Sequence, residues 1–87
     1  MVISRDSINA NSPVVVIVPV TDAANVKRIY PSHAHFSKGT GGLKLDCVAK
    51  AEQIRAIQTS RLVGYYGRLD RDALARVEEA IRITLAL

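Results

Sequence analysis

The chain has 87 residues, 48% of them hydrophobic and 23% charged, with a formal net charge of +4. That is one domain's worth of chain with enough apolar mass for a single core, which excludes an intrinsically disordered segment. No apolar run approaches the ~18 residues of a membrane-spanning helix. The N-terminus lacks the basic and apolar regions of a secretory signal, so the expected location is cytoplasmic. Cys47 is the only cysteine, which rules out an internal disulfide, and with only His33 and His35 for company it makes a poor metal site. The positive charge suits a polyanion such as nucleic acid, although a charge of this size also serves ordinary solubility. With 5% aromatic residues, a base-stacking platform is not expected.

Met1 to Ser4 reads as the tail of an apolar strand. Arg5 to Ser12, RDSINANS, is polar and rich in residues that bond their own backbone in turns, so a connector is expected, with Ile8 as its anchor in the core. Ser12 to Thr21, SPVVVIVPVT, is the stretch that organises the chain. Val14 to Val18 is an unbroken β-branched run, too short for a buried helix, and predicts a central strand covered on both faces. Pro19 cannot donate to a ladder and belongs at a bulge or where pairing ends, so the strand carries Thr21 to the end of the sheet. Val14 to Val20 is accordingly expected to be fully buried.

Asp22 to Arg28 is a mixed polar loop in which Lys27 and Arg28 either form a solvated face or touch phosphate. Ile29 to Phe36, IYPSHAHF, suits a third strand with one wet face, on which His33 and His35 lie together. Their spacing admits a ligand pair, acid–base work, or two solvated side chains. Ser37 to Gly42, SKGTGG, is a turn without the strand-to-helix context of a phosphate loop. Leu43 to Leu62 is ambiguous: VAKAEQIRAI has helix-forming composition, and its periodicity alone predicts a helix. Val63 to Leu69, VGYYGRL, favours a short strand or turn.

The C-terminal segment is the clearest helix, expected over Arg71 to Ala86. Asp70 suits the N-cap, Leu69 and Leu74 a hydrophobic staple, and Asp72 the positive helix start. Leu74, Val77, Ile81 and Leu85 form the expected packing stripe, with Arg71, Glu78, Glu79 and Arg82 facing water. Glu78 and Arg82 are expected to pair at i,i+4.

Taken in order, VISRDSINANSPVVVIVPVT, IYPSH, LDCVAKAEQIRAI, SRL and GRLDRDALARVEEAIRITLAL closely resemble the PemK/MazF family of toxin endoribonucleases, with VPVT and the EQIR block the most specific matches. The resemblance covers essentially the whole chain. It implies an α+β, mainly β fold: a small SH3-like antiparallel β-barrel with a C-terminal helix, in a single domain spanning residues 1–87. It further implies a homodimer, sequence-selective cleavage of single-stranded RNA without metal or other cofactor, and a cognate antitoxin as partner. Thr21 matches the family's catalytic threonine, Tyr30 and Pro31 fall where members line the base-binding groove, and Glu52 and Gln53 match a carboxylate and amide that read the substrate. The resemblance also places the EQIR residues in the sheet, against the helical periodicity. Cys47 stands where members usually have serine.

Family members begin with a further strand and a Gly-Ser-Glu-Gln loop leading to an Arg-Pro pair, which supplies a catalytic arginine, and nothing in these 87 residues matches that segment. The expectation for the chain as written is therefore slow cleavage or none. Two other classes of function stand beside the nuclease: a non-catalytic remnant that binds antitoxin or RNA, and a gyrase-poisoning toxin of the same fold group.

Overall fold

The computed structural model describes residues 1–62 and 69–87, so the strand or turn expected over Val63 to Leu69 lies almost wholly outside the described residues. In chain order the elements are α1 (Asp6–Asn11), β1 (Val14–Ile17), β2 (Val20–Asp22), β3 (His33–Phe36), β4 (Cys47–Lys50), β5 (Arg55–Gln58) and α2 (Arg71–Leu85). Short 3-10 turns at Ala23–Asn25, Thr40–Gly42, Ala51–Gln53 and Thr59–Arg61 join them. Among the described residues all strand pairing is antiparallel and falls into two sheets, one of β1 and β5 and one in the order β2-β4-β3. The antiparallel strands and the C-terminal helix agree with the expected fold, while the described strands form two separate sheets and not the closed barrel that the resemblance implies.

Pro19 divides the valine-rich run. Its missing N–H ends the first ladder after Ile17, and the chain re-pairs with β4 from Val20 onward, so one apolar run feeds both sheets. The expectation of full burial from Val14 to Val20 fails. Val15 and Val18 are buried, whereas Val14 is exposed and Val16, Ile17 and Val20 are half-buried. Among the described residues β1 pairs with β5 and, on its other side, with the Met1–Ser4 segment, which leaves most of it partly exposed. The strand with neighbours on both sides is β4, in which Cys47, Val48 and Ala49 are buried consecutively. This overturns the helical periodicity of Leu43 to Leu62. Paired neighbours on each side of β4 and the turn closed by the Ile54 N–H on the Ala51 carbonyl (3.1 Å) outweigh a modest helix propensity.

The polar connector is a short helix, α1, and Ile8 is exposed instead of anchored. Ser4 and Asn9 hold the segment: the Ser4 hydroxyl donates to Asn9 and accepts from the Val16 N–H, and Asn9 Nδ2 donates to the Ser4 carbonyl at 2.9 Å. Side-chain bonds across the turn satisfy the backbone ends that Ile8 was expected to pin. The third strand is also shorter than expected, because Ile29 to Ser32 is loop and extended pairing starts at His33.

Helix α2 begins as its sequence dictates, with the Asp70 carboxylate accepting from the Ala73 N–H at 2.8 Å. It packs on β3 and the 51–53 turn. The buried stripe is Ala73, Val77 and Ala80, with Ile81 half-buried, while Leu74 and Leu85, the outer members of the expected stripe, are exposed; of the expected staple, Leu69 is half-buried against the core and Leu74 is not. Small side chains win the interface because they let the helix approach Ala34, Phe36, Ala49 and Ala51 closely. The expected Glu78–Arg82 pair is replaced by Glu79 to Arg82 at 3.2 Å; both glutamates remain exposed, as does Arg82. Phe36, Val15, Val18, Val48 and Val77 are the largest fully buried side chains, each contributing about 1.5–3 kcal/mol by transfer from water.

Candidate functional site

The β2-β4-β3 sheet has a core face and a face that carries chemistry. Directly paired residues share a face, and so do residues i and i+2 of one strand. Val20, Ala49, Ala34, Cys47 and Phe36 fall on the core side. On the other side Thr21, Val48 and His35 form one row across the three strands, and Lys50 and His33 begin the next. The Ala51–Gln53 turn that follows β4 presents Glu52 beside that second row, and the loop after Ala23–Asn25 brings Lys27, Arg28 and Tyr30 over it.

These elements enclose an open cleft of about 320 Å³, lined by Asn25, Val26, Lys27, Arg28, Tyr30, His33, Lys50 and Glu52. That is at the lower end of the ~300–1,000 Å³ range of ligand sites. The centre of the cleft is a hydrogen-bonded cluster. His33 Nε2 lies 3.0 Å from Glu52 Oε2, and the Ser32 hydroxyl donates to Glu52 Oε1 at 3.2 Å. The Tyr30 N–H donates to His33 Nδ1 at 3.4 Å, so both ring nitrogens of His33 have a partner. The Tyr30 ring meets the imidazole edge-on, with centroids 5.3 Å apart. The His33 side chain is 3% exposed and that of Glu52 39%, so the carboxylate is the member of the pair that solutes can reach.

Partial burial pushes the Glu52 carboxyl up. The hydrogen bonds from its own backbone N–H, from His33 and from Ser32, with the attraction of His33, outweigh this and hold it below its ordinary value. Glu52 is thus an ionised acceptor fixed in orientation. Lys27, Arg28 and Lys50 line the same cleft, and among the described residues none of the three has a carboxylate within ion-pair distance. The cleft is therefore cationic, with one oriented anion at its edge. A second depression, of about 190 Å³, is lined by Leu43, Lys44, Leu45 and Cys47 and offers no acid, histidine or hydroxyl. Burial, then Asp22 and Asp46, push the Cys47 thiol up, so it is no nucleophile. Among the described residues no group of three or more His, Cys, Asp or Glu side chains is arranged for a metal ion.

Of the residues singled out in the sequence, Tyr30 and Glu52 meet in the cleft, and Thr21 stands half-buried on the same sheet face. Pro31 and Gln53 are exposed next to them in sequence but do not line the cleft. His33 and His35 share a face as expected and part company in environment, since His35 is exposed and the His33 ring is covered. Sequence reasoning passed over Ser32 and Lys50. The alternation of CVAK would have placed Lys50 on the face of Val48, had that stretch been taken as a strand.

Fold and site together define a small antiparallel β protein with a cationic cleft on one sheet face. The chain belongs to the PemK-like, MazF-like toxins of type II toxin-antitoxin systems, whose family pattern matches residues 1–85. It is 40% identical to the endoribonuclease MazF9 of Mycobacterium tuberculosis (strain ATCC 25618 / H37Rv) over 92 aligned residues, covering 100% of this chain and 76% of that relative. It is 34% identical to the endoribonuclease EndoA of Bacillus subtilis (strain 168), covering 100% of this chain and 74% of EndoA. Among solved structures, a mycobacterial endoribonuclease in complex with its cognate antitoxin superposes with a TM-score of 0.85 at 20% identity, covering 100% of this chain and 79% of that one. A MazE-MazF structure from Deinococcus radiodurans gives a TM-score of 0.80 at 22% identity, with 100% and 79% covered. These structural likenesses establish the fold. No helix among the described residues is long and apolar enough to cross a membrane.

Proposed function

We propose that this chain, a single domain over residues 1–87, is a cytoplasmic, metal-independent endoribonuclease that cuts single-stranded RNA, acts as a homodimer and is held in check by a cognate antitoxin. The observation that carries the reading is the His33–Glu52 contact of 3.0 Å set in a cleft of cations, on the face that also presents Thr21. The relatives that the chain matches along its whole length are endoribonucleases, and solved structures of its fold include complexes with antitoxins, which supports the activity and the partner.

The chemistry fits the groups present. The 2′-oxygen of a ribose attacks the adjacent phosphorus, the bond from phosphorus to the 5′-oxygen breaks, and the products are a 2′,3′-cyclic phosphate and a 5′-hydroxyl. The proton that leaves the 2′-oxygen and the proton that reaches the 5′-oxygen are handled by the His33–Glu52 pair, with Glu52 the exposed member that meets the RNA and His33 the covered member that orients it. Thr21 donates a hydrogen bond to a non-bridging oxygen as negative charge develops there. Tyr30, 48% exposed, offers a ring face to one base, and Pro31, Glu52 and Gln53 contact the nucleotides beside it.

The test is cleavage of a single-stranded RNA pool in the presence of chelator by the parent chain, Glu52→Gln and Thr21→Val. Slow cutting by the parent that leaves cyclic phosphate ends and is lost in both variants is expected. Parent-level cutting by both variants would move the activity elsewhere.

A further inference from the structure

Lys50 ends β4, and two contacts of its own and the register of Val48 fix its place. Its N–H donates to the Pro19 carbonyl at 2.9 Å, it faces His33 in register on β3, and Val48, two residues earlier on the same strand face, is paired with Thr21 on β2. Lys50, His33 and Thr21 therefore rise from one side of one sheet. Two strand rises of about 3.3 Å along β4 and one step of about 4.8 Å across to β2 put the Lys50 and Thr21 backbones roughly 8 Å apart. The covered Val48 stands between them, so a lysine stem and a threonine hydroxyl would reach a single phosphate from its two sides.

The ammonium is also unspent. Lys50 lines the cleft, yet the ion pairs among the described residues are His33–Glu52 and Glu79–Arg82, so Lys50 has no carboxylate within 4.0 Å. Glu52, its nearest acid in sequence, is already engaged by His33 and Ser32. Lys27 and Arg28 line the same cleft from the loop between β2 and β3, while Lys50 stands on the sheet itself. A group that must meet a transition state within a fraction of an ångström is better carried by the rigid element, which assigns the loop cations to flanking phosphates.

We propose that Lys50 is a catalytic residue of this site, binding a non-bridging oxygen of the scissile phosphate beside Thr21. The inference rests on the endoribonuclease reading. As the bond from the 2′-oxygen to phosphorus forms and the bond to the 5′-oxygen breaks, the leaving electron pair stays on the 5′-oxygen, which is then protonated. Meanwhile the non-bridging oxygens carry the added charge. Lys50 stays protonated throughout and neutralises that charge without giving up its proton.

Two probes separate the possibilities: a randomised single-stranded RNA oligonucleotide, and its all-2′-deoxy counterpart, which binds phosphate contacts but lacks the attacking hydroxyl. Lys50→Gln is expected to lower single-turnover cleavage at saturating RNA by about 10²–10³-fold. It should also flatten the salt dependence of deoxy-probe binding by about 0.7 in the log–log slope, the contribution of one single-strand phosphate contact. Lys50→Arg should keep the slope and recover most of the rate. A parent that cuts while Lys50→Gln cuts equally well overturns the Lys50 assignment and leaves the nuclease reading standing. A parent that cuts nothing, with no change of slope in Lys50→Gln, overturns both. If the parent cuts nothing and the slope still falls, the nuclease reading fails, and with it the catalytic role, while the phosphate contact itself is upheld.

Discussion

His33 Nε2 stands 3.0 Å from Glu52 Oε2 across the junction of β3 with the turn after β4, and it joins a covered imidazole to a carboxylate that solutes can reach. Folding lowers the Glu52 pKa from its ordinary 4.5, against partial burial and because of the bonds that the carboxylate accepts. A carboxylate with a depressed pKa adds stability that is fully present above its unfolded value and fades as pH falls through the folded value. The melting-temperature difference between the parent and Glu52→Gln should therefore be constant near neutrality and shrink below pH 4.5. A difference that grew as the solution was acidified would mean that the contact does not stabilise the ionised form.

Helix α2 supplies a second test, because its buried stripe is displaced from the one that periodicity suggests. Val77 is 1% exposed and Leu74 42%. Val77→Asp places an ion among Ala34, Phe36 and Ala49, at a cost of several kcal/mol against a total stability of ~5–15 kcal/mol, and should abolish the cooperative melt. Leu74→Asp, one residue type and three positions away, should melt within a few degrees of the parent. Equal damage from the two would return Leu74 to the core.

How far the sequence reaches is clear from three places. Pro19 and Asp70 act as their chemistry demands, one ending a ladder and one capping a helix, since each effect is local to the residue. Val14 to Val18 is a strand, but its burial depends on which sheet receives it and what lies across it, and no local pattern carries that information. The VAKAEQIRAI stretch misleads because its helical period and its strand alternation coincide over the short span of β4, and pairing on two sides settles the choice. The site follows the same rule. Thr21 and Glu52 came from resemblance, while the His33–Glu52 contact joins residues 19 apart in sequence and exists only once β3 and β4 are paired.

Gly39 offers a purely backbone prediction. Its φ of 96° lies in the region that side chains avoid, and a Cβ built there meets nothing within 4 Å. Gly39→Ala thus adds no clash, and its effect isolates the conformational term, about 1–2 kcal/mol of destabilisation. Urea unfolding should show a lower midpoint with an unchanged slope. An unchanged midpoint would mean that the turn relaxes at no cost.

The last prediction separates holding RNA from cutting it. Thr21 sits in β2 opposite Val48, half-buried, and valine has its shape and its preference for extended backbone without the hydroxyl. Thr21→Val should therefore fold like the parent and bind the 2′-deoxy probe within about threefold, because phosphate affinity is carried by the cations of the cleft. Cleavage depends on donors aimed at charge that appears only in the transition state, and losing one such donor costs about 10²–10³ in turnover. Thr21→Ser restores the donor on a less constrained stem and should recover much of the rate. Stopped reactions on the RNA pool, quantified by the yield of 2′,3′-cyclic phosphate ends, read this directly. Parental yields from Thr21→Val would remove Thr21 from the chemistry and leave the His33–Glu52 pair and the sheet-borne Lys50 to account for it.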